Sequence, residues 1–95
     1  MTTEMEKLVS KLMAAGVPFE VTIQPYFKVP QVWYPNRANA IGDVACNEIT
    51  DGGKAGLLEI RSEELIGEDY KEYHFEGWLT ADQVAERIVK HYYEG

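Results

Sequence analysis

Cysteine is almost missing from this chain: Cys46 is the only one in 95 residues, so no internal disulfide can form. Basic residues are scarce as well. Nine Lys and Arg stand against sixteen Asp and Glu, a net charge of −7. A protein that binds a phosphate backbone normally shows a basic face, so direct nucleic-acid binding is not expected. No apolar run approaches the roughly 20 residues of a membrane span. The start, MTTEMEKLVSKLMAAG, has no basic region leading into an apolar stretch, so it reads as a helix and not as a signal peptide. The expected setting is the cytoplasm of a cell or of a virus-infected cell. Histidine occurs twice, as His74 and His91, far apart. Structural zinc asks for about four ligands at paired spacings, and a calcium loop asks for a D-x-[DN]-x-[DN]-G pattern. Neither is present, so no metal and no cofactor are expected.

What is there suits one domain spanning residues 1–95. The hydrophobic fraction of 45% is enough to fill a core and argues against disorder. Two helices are plain. Thr3 and Glu6 form a capping box, and Met5, Leu8, Val9, Leu12 and Met13 make one apolar stripe. Gly16 and Pro18 end that helix. Thr80 and Gln83 form a second box ahead of a stripe of Ala81, Val84, Ala85, Ile88 and Tyr92. Lys90 and His91 complement the far end of its dipole.

Strand signals lie between. Val17, Phe19, Val21 and Ile23 alternate with polar positions, which predicts a strand with those four buried. Pro25 and Pro30 bracket an irregular loop, and Gln31–Tyr34 forms a second strand closed by Pro35-Asn36. Residues 40–49 read as a third strand, Asp51-Gly52-Gly53 as a hairpin turn, and residues 56–61 as the returning strand. Residues 62–69 read as an acidic loop, and residues 70–79 as a further strand with Tyr73 and Phe75 on one face. The expected fold class is α+β: a small antiparallel sheet of four or five strands, with the N-terminal and C-terminal helices on one face, in the order αβββ(β)(β)α. The other sheet face is then free to bind.

Three constellations bear on chemistry. Cys46 with Asp43 and the histidines could make a nucleophile site, but no known motif spacing is matched, and a lone cysteine among small apolar neighbours usually packs. No catalytic residue is expected. The glycines of NEITDGGKAG could cradle phosphate with Lys54, but the spacing is not a Walker motif and a turn explains them. Charge and aromatics carry more. Residues 59–76 hold seven acids and two bases, a net −5, against −1 in 1–58 and −1 in 77–95. Such a run is either a solvated loop or a phosphate mimic that enters a basic groove on another protein. Trp33 and Tyr34 are adjacent, so one of them must leave the helix side of the sheet. It either covers an edge or forms an exposed platform.

GVPFE, WYP, GDVACNEI, GLLEI and EGWLTADQVAERI, in that order from Gly16 to Ile88, resemble small proteins encoded by phages and prophages of Gram-positive bacteria. The resemblance implies no catalytic residue. It implies a non-enzymatic accessory protein that binds and inhibits a host factor, such as a nucleic-acid-binding defence effector. The expected partner is a host protein with a basic surface, met by Glu63, Glu64, Glu68 and Asp69 with Trp33 as anchor. The alternative is a protein that captures a small ligand or nucleotide signal between Arg37, Lys54 and Tyr34. Monomer and dimer both remain open.

Overall fold

In the computed structural model, which describes residues 2–94, both helices start where their capping boxes place them. Helix α1 (Glu4–Ala15) opens with Thr3 Oγ1 accepting from the Glu6 N–H at 3.1 Å. It closes on Gly16, left-handed at φ 71°, whose N–H turns back to the Leu12 and Met13 carbonyls. Met5, Leu8 and Leu12 are buried and Val9 packs beside them. Met13 is the exception. It lies one 100° step past Leu12, off the edge of the stripe, and is exposed. Helix α2 (Ala81–Glu94) follows Thr80, whose N–H donates to Gln83 Oε1 at 2.9 Å.

The sheet is a five-stranded antiparallel meander in chain order. Its strands are β1 (Glu20–Ile23), β2 (Pro30–Tyr34), β3 (Gly42–Ala45), β4 (Leu58–Ile66) and β5 (Tyr70–Leu79). Val32, Tyr34, Val44, Leu58, Ile60 and Leu79 face the helices and pack on Met5, Leu8, Leu12, Val84, Ala85 and Ile88. The two-layer α+β arrangement expected from the sequence is the one observed.

Four local expectations are corrected. Of the alternating residues before and within β1, Val17 is buried and Phe19 partly so, but Val21 and Ile23 are exposed. β1 is an edge strand, and only one of its sides has a neighbour to pack against. The third strand ends at Ala45 because Asn47 gathers the chain: its side chain accepts from the N–H groups of Ile49 and Thr50. Asp51-Gly52-Gly53 is therefore no tight hairpin turn. It sits in a twelve-residue connection (46–57) containing a 3-10 turn at Gly53–Ala55.

The fourth correction matters most for function. Residues 62–69 are not a loop. β4 runs to Ile66, the chain turns at Gly67, and β5 begins at Tyr70, with Glu63 opposite Tyr73 and Glu64 opposite Glu72. Of β4, only Glu59–Ser62 pairs with β3. The distal part of the β4–β5 hairpin thus outruns the rest of the sheet. The proximal part is braced. A register shift between Leu58 and Ile60 marks a bulge opposite Gly77 and Trp78, and Trp78 takes φ +59°. Its N–H donates to the Asp51 carbonyl at 3.0 Å, while the Asp51 N–H donates to Glu59 Oε2. A Cβ on Gly77 would run into Asp51, so the close approach requires glycine there.

Candidate protein-binding surface

Strand alternation sorts the acidic segment onto two faces. Glu63 shares the open face, away from the helices, with Arg61, Lys71, Tyr73 and Phe75; Glu64, Glu72, His74 and Glu76 share the helix side with Ile60. Glu68 and Asp69 lie at the exposed hairpin turn. The four acids expected to act together therefore do not form one row.

Several are already neutralised. Glu63 is mostly covered and pairs with Lys71 Nζ at 3.5 Å. Glu76 accepts from Arg87 Nε and Nη2 at 2.5 and 2.8 Å, a fork that ties β5 to α2. That hydrogen bond, more than charge at a distance, holds the Glu76 carboxyl below its usual range; the arginine is raised in turn. The Glu64 carboxylate contacts His74 Nε2 at 2.9 Å, with Glu72 a further 3.8 Å contact of the same imidazole. Among the described residues, Glu68 and Asp69 at the turn have no basic partner, Glu64 and Glu72 share one histidine, and Glu59 accepts from the Asp51 N–H. Glu64, Glu72 and His74 could between them offer three metal-ligand atoms within 4.8 Å of one another, but all three are side chains at the surface.

Apolar groups accompany this charge. Leu65, Ile66, Tyr70, Tyr73, Phe75 and Trp78 are all large and exposed, and all belong to β4 or β5. This is the largest concentration of such residues on one element pair among the described residues. Uncovered apolar area of this kind, rimmed by charge, marks interaction surfaces in soluble proteins.

The open sheet face carries a second feature. Trp33 points there, with its indole N–H donating to Thr22 Oγ1 at 2.8 Å and the Arg37 guanidinium 5.7 Å from its ring centre. Asp43 is buried on the same face, accepting from Gln31 Nε2 at 2.8 Å and pairing with Arg61 Nε. Arg61 also stands over Tyr73 at 5.2 Å. Trp33, Arg37, Arg61, Glu63 and Lys71 line an open polar hollow of about 430 Å³. Trp33 and Glu63 of the expected partner set meet here; Glu64, Glu68 and Asp69 do not line it.

The residues of the ligand-capture alternative are not brought together. Tyr34 is fully buried on the helix side. Burial, with Asp43 and Glu63 nearby, pushes its hydroxyl well above the ordinary tyrosine range, and the hydroxyl shares a hydrogen bond with His91 Nδ1 at 2.9 Å. Lys54 lies in the β3–β4 connection and Arg37 in the β2–β3 connection, at opposite ends of β3. Cys46 borders a groove with Met5, Val9, Val21 and Val29 and contacts the Gly53 carbonyl at 3.7 Å. Burial raises its thiol pKa, the reverse of what a nucleophile needs. The histidines are engaged by Glu64 and Tyr34 instead.

No helix among the described residues is long and apolar enough to cross a membrane. No family model, curated protein or solved structure matches this chain.

Proposed function

We propose that this protein is a non-enzymatic binding protein that inhibits a host factor, and that it docks the distal β4–β5 hairpin onto a basic surface of that partner. The observation that carries this reading is the hairpin itself. It outruns the sheet, leaves Leu65, Ile66, Tyr70 and Tyr73 uncovered, and ends on Glu68 and Asp69, which have no basic partner among the described residues. Exposed aromatics next to charge supply the two elements of a working interface: anchors that fill pockets, and charges that steer the approach. The resemblance to phage and prophage proteins makes a host defence protein with a nucleic-acid groove the natural partner. Nucleotide capture has less support. On the open face Arg61 and Lys71 are held by Asp43 and Glu63, leaving Arg37 alone over Trp33.

The test is capture from a Gram-positive bacterial lysate at low and high salt. The bait is compared as wild type, as a Glu64→Gln, Glu68→Gln, Asp69→Asn variant, and as Glu63→Gln alone. A basic protein held by the wild type should be lost from the triple variant, most visibly at low salt, where exposed charges act beyond about 10 Å. The Glu63 variant should retain it, because that carboxylate already belongs to Lys71. Equal capture by the wild type and the triple variant would sink the proposal.

A further inference from the structure

The two edges of the sheet are unlike. β1 has four residues, is preceded by Pro18 and followed by Pro25, and offers little to pair with. β5 has ten, holds no proline, and is exposed from Tyr70 to Glu76. Natural edge strands are usually kept short or interrupted, because a long free edge recruits another strand.

The direction of the unused backbone groups follows from one hydrogen bond. The Glu63 N–H donates to the Ile41 carbonyl at 2.8 Å, so Glu63 faces the β3 side. Its partner Tyr73 is then a non-hydrogen-bonded pair member, with N–H and C=O directed away from β4. The period of two gives Lys71 and Phe75 the same outward direction. Three donors and three acceptors line the free edge.

We propose that a second copy of this chain occupies that edge. The two β5 strands pair antiparallel about a two-fold axis at Tyr73, joining two five-stranded sheets into one. This proposal is independent of the host-binding reading. Charge selects both occupant and register. A two-fold axis normal to an antiparallel sheet sets one residue opposite its own copy. Centred on Tyr73, it puts Glu72 opposite His74, Tyr70 opposite Glu76, and Lys71 beside Phe75, each twice. No like charges meet. Centred on Glu72 or His74, it sets Glu72 against itself or against Glu76, and like charges directly opposite are destabilising. Centred on Lys71, it sets two lysines together. Centred on Phe75, it runs into the bulge at Gly77 and Trp78. In the Tyr73 register, the outward groups of Lys71, Tyr73 and Phe75 all find partners, and Tyr73 and Phe75 lose exposed area. The two acidic turns point to opposite ends and remain free. A seven-residue strand contact is smaller than a standard interface of roughly 1,200–2,000 Å², so monomer and dimer exchange with concentration.

Sedimentation equilibrium over a wide concentration range should show the mass rising toward double the monomer value. Amide hydrogen exchange on the same samples should show Lys71, Tyr73 and Phe75 unprotected when dilute and protected when concentrated. Tyr73→Pro removes an N–H that makes no bond within the monomer and should abolish the dimer. Should that variant unfold, charge offers a second route. Glu72→Lys and His74→Glu should each dimerise less well, and mixing the two should restore association through the opposite-charge pairs. A wild type that stays monomeric at all concentrations overturns the proposal. So does a dimer that leaves those three amides unprotected, or one indifferent to all of these substitutions. A foreign strand that pairs with β5 while the wild type remains monomeric overturns the second copy as occupant.

Discussion

Asp43 shows how much one buried side chain can decide. It is 7% exposed, yet it keeps its charge company with Gln31 and Arg61 on the face away from the helices. Removing one member of such a pair strands the other in a poorly solvated site. Arg61→Met should therefore cost on the order of 3 kcal/mol in chemical denaturation, an upper figure because Arg61 keeps some contact with water. Asp43→Asn should cost less, since an amide still bonds Gln31 and carries no charge. A Gly42→Ala substitution fails for a different reason. A Cβ there would enter the Tyr34 ring, and neither the ring nor its bond to His91 has room to move in the core. Overpacking of this kind costs about 1–3 kcal/mol, which thermal melting would register. Little of this was legible beforehand. The sequence offers Asp43 only as a companion of Cys46 and the histidines in a possible nucleophile site, and nothing in a linear sequence tells that Arg61 lies across from it.

At the scale of elements, the helices and β5 are readable in the sequence and the distal half of β4 is not, for one physical reason. A helix that buries one face writes that burial into its sequence every three to four residues, and its cap residues mark the start. Met5, Leu8 and Leu12 after Thr3 did so, as did Val84, Ala85 and Ile88 after Thr80. The distal half of β4 buries no apolar side chain, so Glu63, Glu64, Leu65 and Ile66 carry no alternation to detect. Their strand exists because β5 pairs with it. The same blindness hid the split of the acidic run between two faces. What joins β5 to α2 is testable by pH. The folded-state pKa of Glu76 is lowered, foremost by its hydrogen bond to Arg87, so its stabilising effect is present above the ordinary glutamate range and is lost as pH falls through the lowered value. Glu76→Gln should melt slightly lower than wild type at neutral pH, and the gap should close in acid below that point. The effect is small because the pair is exposed. A gap that widens on acidification would contradict the linkage.

At the scale of the whole molecule, the apolar core and the exposed hairpin are separated in space. The described residues measure 43 Å along their longest axis and 22 Å along the shortest. The core gathers residues from both helices and all strands but β1, yet takes nothing from β4 beyond Ile60 or from β5 before Leu79. The hairpin beyond those points has no share in the apolar burial that stabilises the domain. It should therefore be removable. Glu64 and Glu72 are opposite each other, and the outward direction of Tyr73 makes theirs a hydrogen-bonded pair. That pair is the correct closing position for a two-residue type I′ turn, for which Asn-Gly is the preferred sequence. Replacing Leu65–Lys71 with Asn-Gly takes out Leu65, Ile66, Glu68, Asp69 and Tyr70 together. It sacrifices one ion pair, Glu63 with the exposed Lys71, worth about 1 kcal/mol. The shorter chain also has a tighter turn to close, a small gain of the order of 0.6 kcal/mol for each halving of length. These terms nearly cancel, so the truncated protein should melt within a few degrees of wild type, given about 4–8 °C per kcal/mol for a domain of this size. Its capture of a basic partner should fail and its self-association should weaken, since two of the three outward-facing residues remain. A truncation that melts far lower, with the far-ultraviolet circular dichroism of a disordered chain, would mean that the hairpin is part of the folding unit and that its exposed aromatics serve the monomer after all.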